Sequence, residues 1–373
     1  MTDKKNLAIS IALLAFVALV LALVIPGNLA MHRAETLRKG PGVTKVAPLS
    51  DWFPDLKGTR ADTDVYILDS GKPGGSALVL GGTHGNEPAG YLTAILMLEN
   101  AMPSAGKLFI IPFANASSMT HTDYMEGTPR AFTLNAASGS RNFRFGSRAT
   151  SPMDQWPDPD IYIHASSGQK LSGSETRNLN RAYPGRRDGT FTERLAYGIT
   201  SLIRAEKVDV TVDLHEASPE YPVINAIVAH DRAMPVASVA VLNLEIDGVT
   251  IGLEPSPVKL RGLSHRELGD STDTLALLIE ATNPAQGRLR GKTDEALILE
   301  GKDPLYVKAH KLGRTFVPFD DSGWPMKLRV GRHLASLQAI FSAYTTKTPD
   351  KPLVIGSLPT YDEVLSNGLE KYL

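Results

Sequence analysis

Four short stretches of this chain bring together residue types able to run hydrolytic chemistry on a bound cation. The first is Gly81-Gly82-Thr83-His84-Gly85-Asn86-Glu87, which follows the apolar run Ala77–Leu80. A His and a Glu three apart, in a loop leaving a strand, can converge on one metal ion, and the glycines permit the tight turn this needs. Taken alone, the pair has a second reading: a loop His, with Glu87 serving the positive end of the following helix. The second stretch is Val212-Asp213-Leu214-His215-Glu216, a strand ending in His. Two His and one Glu make an open zinc set that leaves a fourth position for water; a hydrogen-bonded surface His is the alternative. The third is Arg177-Asn178-Leu179-Asn180-Arg181-Ala182-Tyr183-Pro184-Gly185. Its amides and guanidinium forks suit a substrate carboxylate, or else form a surface turn. The fourth is Leu278-Ile279-Glu280-Ala281-Thr282. A carboxylate ending an apolar strand is poised for burial and a raised pKa, as a general base requires, or is an edge carboxylate paired with an Arg.

The order and spacing of GGTHGNEPAG, RNLNRAYPG, VDLHE and IEATNP together resemble the zinc carboxypeptidase (M14-like) superfamily, and within it the succinylglutamate desuccinylase/aspartoacylase branch, over about residues 61–300. The resemblance implies a three-layer α/β/α fold with a mixed, mostly parallel central sheet. It implies one zinc ion per chain held by His84, Glu87 and His215, Glu280 as the catalytic carboxylate, and Asn180 and Arg181 as substrate-binding residues. The implied activity is removal of an acyl group from an N-acyl amino acid or similar small amide. A metallocarboxypeptidase acting on peptides or peptidoglycan fragments uses the same residues, and a catalytically silent binding module is the alternative of a different class. Two positions depart from the pattern. Asn178 stands where the superfamily often has an Asp that orients a zinc-binding His, and a neutral oxygen is the weaker acceptor. The arginine facing the oxyanion is not uniquely placed: Arg177 is expected, with Arg141, Arg144 and Arg148 competing.

The elements that must position these residues follow an α/β pattern. Strands are expected at Ala77–Leu80, Leu108–Pro112, Val208–Leu214, Ala226–Val228 and Leu275–Ile279, and helices at Glu87–Leu98, Phe191–Ala205 and Leu328–Tyr344. Residues 140–176 show no period, and Arg261, His265 and Arg266 read as solvated loop charges or as a loop able to line the substrate pocket. The remaining composition narrows the function. The 39 basic and 40 acidic residues leave a net charge of −1, which provides no phosphate-neutralising excess and argues against a nucleic-acid partner. No cysteine is present, so thiol catalysis and Cys-ligated metal are excluded.

Leu7–Ile25 is apolar at every position but Ser10. As a helix it spans roughly 28 Å, close to the ~30 Å hydrocarbon core, and exceeds the usual signal-peptide core in length. The expected organisation is a short tail (1–6), a transmembrane anchor rather than a removed signal (7–25) stopped by Pro26-Gly27-Asn28, a linker (26–60), a hydrolase domain (61–345) and a C-terminal tail (346–373). The expected partners are the membrane, through this helix, and a small-molecule or peptide substrate with a free carboxylate. The hydrolase domain is expected on the extracytoplasmic (periplasmic) side.

Overall fold

Ser76–Leu80 and Val210–Ala217 are buried along nearly their whole length, the signature of strands covered on both faces. In the computed structural model, which describes residues 2–373, the strands are β1 (Lys45–Pro48), β2 (Asp64–Asp69), β3 (Ser76–Leu80), β4 (Met102–Ala105), β5 (Lys107–Ile111), β6 (Ala131–Ala136), β7 (Gly139–Arg144), β8 (Ile161–Ile163), β9 (Lys170–Ser172), β10 (Val210–Ala217), β11 (Ala226–Ala229), β12 (Gly252–Pro255), β13 (Leu275–Thr282) and β14 (Val354–Gly356). Eight of them form one sheet in the order β1-β2-β5-β3-β10-β13-β11-β12; β4 and β14, β6 and β7, and β8 and β9 pair separately. The four central strands β5, β3, β10 and β13 are mutually parallel, and the flanking β2 and β11 run antiparallel to them.

The helices are α1 (Thr2–Met31), α2 (Pro88–Asn100), α3 (Phe191–Glu206), α4 (Met234–Ile246), α5 (Ser264–Ser271), α6 (Glu295–Glu300), α7 (Pro304–Lys311), α8 (Met326–Lys347) and α9 (Tyr361–Asn367). The pleat divides the core between them. Ala77 and Val79 point to one face with residues of α2, α4 and α8, while Leu78 and Leu80 point to the other with residues of α3. The molecule is thus a three-layer α/β/α structure around a mixed sheet, as expected.

The ends of the chain are more integrated than the sequence indicates. Pro26 does not stop α1, which runs on to Met31; losing one backbone hydrogen bond is tolerated where the following turns are held by other contacts. Residues 45–56 are not a linker. Lys45–Pro48 pairs antiparallel with β2, and Leu49, Phe53 and Leu56 are buried beside α3. Residues 346–373 are not a free tail. Val354–Gly356 pairs with β4, and Leu353, Val364, Leu369 and Leu373 are buried in the core under α2 and α8. His265 and Arg266, read as part of a loop, lie in α5, whose Leu268 enters the α3-side core.

Candidate metal centre and active site

The carboxyl ends of β3, β10 and β13 lie side by side, where ligands bind in open α/β sheets. In register, Leu80 is opposite Asp213 and His215 is opposite Glu280. Because side chains alternate along a strand, Asp213 and His215 project from the same face. The loop after β3 carries His84 and Glu87. Its turn requires Gly82, at φ +62°, a conformation that costs other residues strain. Gly90 lets α2 approach β10 so closely that a Cβ there would strike the Leu214 carbonyl.

His84, Glu87 and His215 are buried, and one ligand atom from each lies within 4.8 Å of the others. Glu87 leaves the N-terminus of α2 uncapped and turns its carboxylate to the two imidazoles, which decides against the helix-capping reading. Its Oε1 is 2.7 Å from His84 Nδ1 and its Oε2 is 3.0 Å from His215 Nδ1. It also accepts hydrogen bonds from the Glu216 backbone N–H and from Gln286 Nε2. The outer nitrogens are held as well. His84 Nε2 lies 2.9 Å from Asn178 Oδ1, and His215 Nε2 lies 2.9 Å from Asp213 Oδ2.

Proton bookkeeping at His84 tests whether these residues fit a cation. Asn178 Nδ2 donates to Glu175 Oε2 at 2.7 Å, and its Oδ1 accepts from the Asn180 backbone N–H at 3.0 Å. The amide is therefore oriented, and its oxygen faces His84. Burial lowers the His84 pKa and keeps the ring neutral, so its one proton sits on Nε2. The Nδ1 lone pair then points at a carboxylate oxygen 2.7 Å away, and a cation between them relieves that repulsion. Across the site, burial opposes the charge on His215, but Asp213 and Glu87 outweigh it and raise its pKa well above the usual imidazole range. The same burial works against Glu87, whose carboxyl the two imidazoles nonetheless hold well below the usual range. Without a cation His215 therefore keeps its proton; once that proton is lost, two imidazoles and one carboxylate converge, a donor set that could hold a metal ion such as zinc.

Replacing Asn178 by Ala removes the acceptor that sets the His84 tautomer. It is expected to weaken metal affinity about 10–100-fold, measured by competition with a chromophoric chelator, with little change in the circular dichroism spectrum.

The centre opens into a cavity of about 450 Å³ lined by both proposed His ligands, Glu87, Glu280, Asn180, Arg181 and Arg148. Glu280 lines the cavity and is partly buried, and its Oε2 is closed off from solvent without a hydrogen-bond partner. Burial, reinforced by Glu87 and Asp213 against the opposing effect of His215 and Arg148, pushes its pKa up to about 8. Asn180 is positioned by the Ser264 backbone N–H donating to its Oδ1 at 2.8 Å, and Arg181 by its own bond to the Asn180 carbonyl. Val223, Val228, Leu260, Leu263 and Leu278 add apolar lining to the same cavity.

Arg177, the first sequence choice to face the oxyanion, does not reach the cavity. Its guanidinium is spent on Asp158, at 2.7 and 2.9 Å, and on the Thr150 carbonyl. Arg141 pairs with Glu99 and Arg144 with Glu35. Arg148 enters the cavity, 4.0 Å from Glu87, with its side chain 42% exposed. Of the three residues read as a loop able to line the pocket, His265 lines the cavity. Arg261 is committed to Glu267 and Asp270, and Arg266 to the Ser256 carbonyl. Tyr183 is fully buried in the α3-side core. Asp213 went unrecognised in the sequence, although its position two before His215 on a strand is the signal that could have found it. Glu216, also unrecognised, forms a fully buried ion pair with Arg329 of α8 at 2.7 Å and accepts the Ala89 backbone N–H with its second oxygen. That pair ties α8 and the start of α2 to the strand carrying His215.

No protein-family model matches the chain. Among curated proteins it is similar to an N-alpha-acetyl-L-2,4-diaminobutyric acid deacetylase from Halomonas elongata, 26% identical over 169 residues, which are 44% of this chain and 35% of the relative. The chain thus spans about a third of the length of that relative. Similar solved structures include a metallo-carboxypeptidase from Burkholderia cenocepacia, with 12% identity, 83% of this chain and 66% of that one covered, and a TM-score of 0.47. A succinylglutamate desuccinylase from Silicibacter sp. TM1040 is also similar, with 17% identity, 69% of this chain and 63% of that one covered, and a TM-score of 0.36.

Proposed function

We propose that this chain is a zinc-dependent amide hydrolase of the succinylglutamate desuccinylase/aspartoacylase type, which removes an acyl group from an N-acyl amino acid or a similar small amide. The observation that carries the reading is the buried His84–Glu87–His215 cluster beside an unpartnered Glu280. The likeness to a deacetylase of an N-acetylated amino acid supports it. When bound among those three residues, zinc supplies the Lewis acidity that brings the pKa of water towards neutrality and polarises a carbonyl. Glu280, in the ionised form that a nearby cation favours, takes the proton of the attacking water and returns it to the departing amine nitrogen. Arg148 donates to the oxygen that gains charge. Asn180 and Arg181 hold the substrate carboxylate and so fix the scissile bond beside Glu280.

The test is hydrolysis by the zinc-loaded full chain of N-acetyl amino acids, the same compounds with the carboxylate amidated, and peptides with a free C-terminus. The reading requires turnover of the N-acetyl amino acids and a raised KM for the amidated ones. Turnover of peptides only makes the chain a carboxypeptidase, and tight binding without turnover makes it a binding module. The two arginines separate in the same assay. Arg148→Ala is expected to lower kcat about 10²–10³-fold. Arg177→Ala, far from the reacting groups, leaves kcat within a few-fold and shows its effect in the melting temperature, because Asp158 loses its partner.

Residues Asp3–Met31 form a helix long and apolar enough to cross a membrane, with a mean hydropathy of 3.1 in its most apolar window and none of that window buried. The proposal includes this helix as an anchor, with the hydrolase domain on the extracytoplasmic side. A membrane-impermeant maleimide should therefore label a cysteine placed at the exposed Ile246 in intact cells; labelling only after lysis would reverse the orientation.

A further inference from the structure

Among the described residues outside α1, four large apolar side chains are more than four-fifths exposed: Tyr124, Met125, Met153 and Ile246. Three of the four lie on two loops beside the end of α1. That end touches the turn 116–120, from which the first loop, residues 121–130, departs. Arg130, at the far end of this loop, lies over Gly27 so closely that a Cβ there would collide with the guanidinium. The second loop, residues 151–156, is stitched to the same turn by Ser117 Oγ donating to Asp154 Oδ2 at 2.6 Å. It is tied to the residue that follows α1 through Arg60, which bonds both Asp154 and His32 at 3.1 Å. Trp156, 68% exposed, ends it.

The segment after α1 gives the domain little freedom to swing away. Arg144 bonds the Met31 carbonyl at 2.9 Å and forms an ion pair with Glu35, while Arg38 bonds the Ser138 carbonyl. Met31 itself is buried. The height of the two loops is therefore set by the helix. From Ile25, where the apolar run ends, to Met31 is about 9 Å of helix. The headgroup layer outside the hydrocarbon is on the order of 5–8 Å deep on each side. The contact at Gly27 lies within that layer, and the one at His32, about 10 Å past Ile25, lies at its outer limit. Tyr124 and Trp156 are of the type that favours a membrane–water interface, with the apolar Met125 and Met153 and the basic Arg130 and Arg60 beside them. The acidic Asp123, Glu126 and Asp154 of these loops are each bonded within the protein, to Ser147, Arg290 and Arg60.

We propose that the surface formed by residues 121–130 and 151–156 docks on the lipid bilayer around the exit of α1, so that the domain lies against the membrane. This inference rests on the anchor reading of α1 and not on the hydrolase reading. Because the chain has no cysteine, single labels carry no background. The full chain bearing Ala15→Cys, Met125→Cys, Met153→Cys or Ile246→Cys, each labelled with a nitroxide, is reconstituted into vesicles of phosphatidylcholine with a minority of phosphatidylglycerol. Collision with a water-soluble nickel chelate is then compared with collision with lipid-dissolved oxygen. The proposal requires residues 125 and 153 to be protected from the chelate several-fold relative to residue 246, with residue 15 in hydrocarbon. Residue 15 in lipid with 125 and 153 as wet as 246 overturns the docking face and leaves the anchor standing. Residue 15 in water overturns the anchor, and the docking face with it.

Discussion

Glu280→Gln is expected to lower kcat by about 10³-fold while KM and zinc content stay close to wild type. The amide keeps the shape of the side chain, and Glu280 is not among the three clustered residues; what is lost is the proton acceptor, a contribution of about 10²–10⁴ for a well-placed general base. Pre-steady-state and steady-state kinetics with zinc quantified on the same samples check this. The substitution has a second signature in the metal-free protein. Burial first, then Glu87 and Asp213, push the Glu280 pKa up to about 8, whereas an unfolded Glu titrates near 4.3. Between those values the folded chain holds a proton that the unfolded chain has released, so stability falls as pH rises through this window. Glu280→Gln removes that decline. The stability of the metal-free variant relative to wild type should therefore grow by roughly 2–4 kcal/mol between pH 5 and pH 8, read from urea denaturation at the two pH values. A difference that is flat with pH would mean that Glu280 ionises normally in the folded state.

His215→Ala is expected to remove both the metal and the activity. The loss has a local electrostatic reason beyond the missing ligand. His215 is flanked by Glu87 Oε2 at 3.0 Å and Asp213 Oδ2 at 2.9 Å, so without an imidazole two buried carboxylates remain with one fewer compensating charge. Breaking a buried charge pair costs about 3–5 kcal/mol. Zinc per chain by elemental analysis should drop from about one to near zero, and the melting temperature should fall even when wild type is compared in its metal-free form. Asp213→Asn separates the two contributions. It keeps a ligand set of two imidazoles and one carboxylate, and so should retain zinc with affinity weakened by about 10–100-fold.

Much of the centre was legible because its residues lie where short apolar runs end. Ala77–Leu80, Val210–Leu214 and Leu275–Ile279 are buried on both faces, so their strands show as unbroken apolar or alternating runs. The residues just beyond them, His84, His215 and Glu280, could therefore be placed on one edge of a sheet. What escaped notice lacks that signal. Lys45–Pro48 and Gly252–Pro255 are four-residue edge strands ending in Pro, which local pattern cannot separate from loop. The helix Ser264–Ser271 is short and polar, with Leu268 as its main core residue. The choice among four arginines depended on which acid each one meets, and Asp158, Glu99 and Glu35 come from distant parts of the chain. The Asn178 departure was visible, but its consequence depended on Glu175 and Asn180 orienting the amide, which only the folded turn shows.

The most direct measurement is amine release from an N-acetyl amino acid by the full chain as purified, after exhaustive chelation, and after adding back one equivalent of zinc. The account predicts activity that disappears on chelation and returns with stoichiometric zinc in wild type but not in His84→Ala. Activity indifferent to chelation, or restored equally well in His84→Ala, would contradict it.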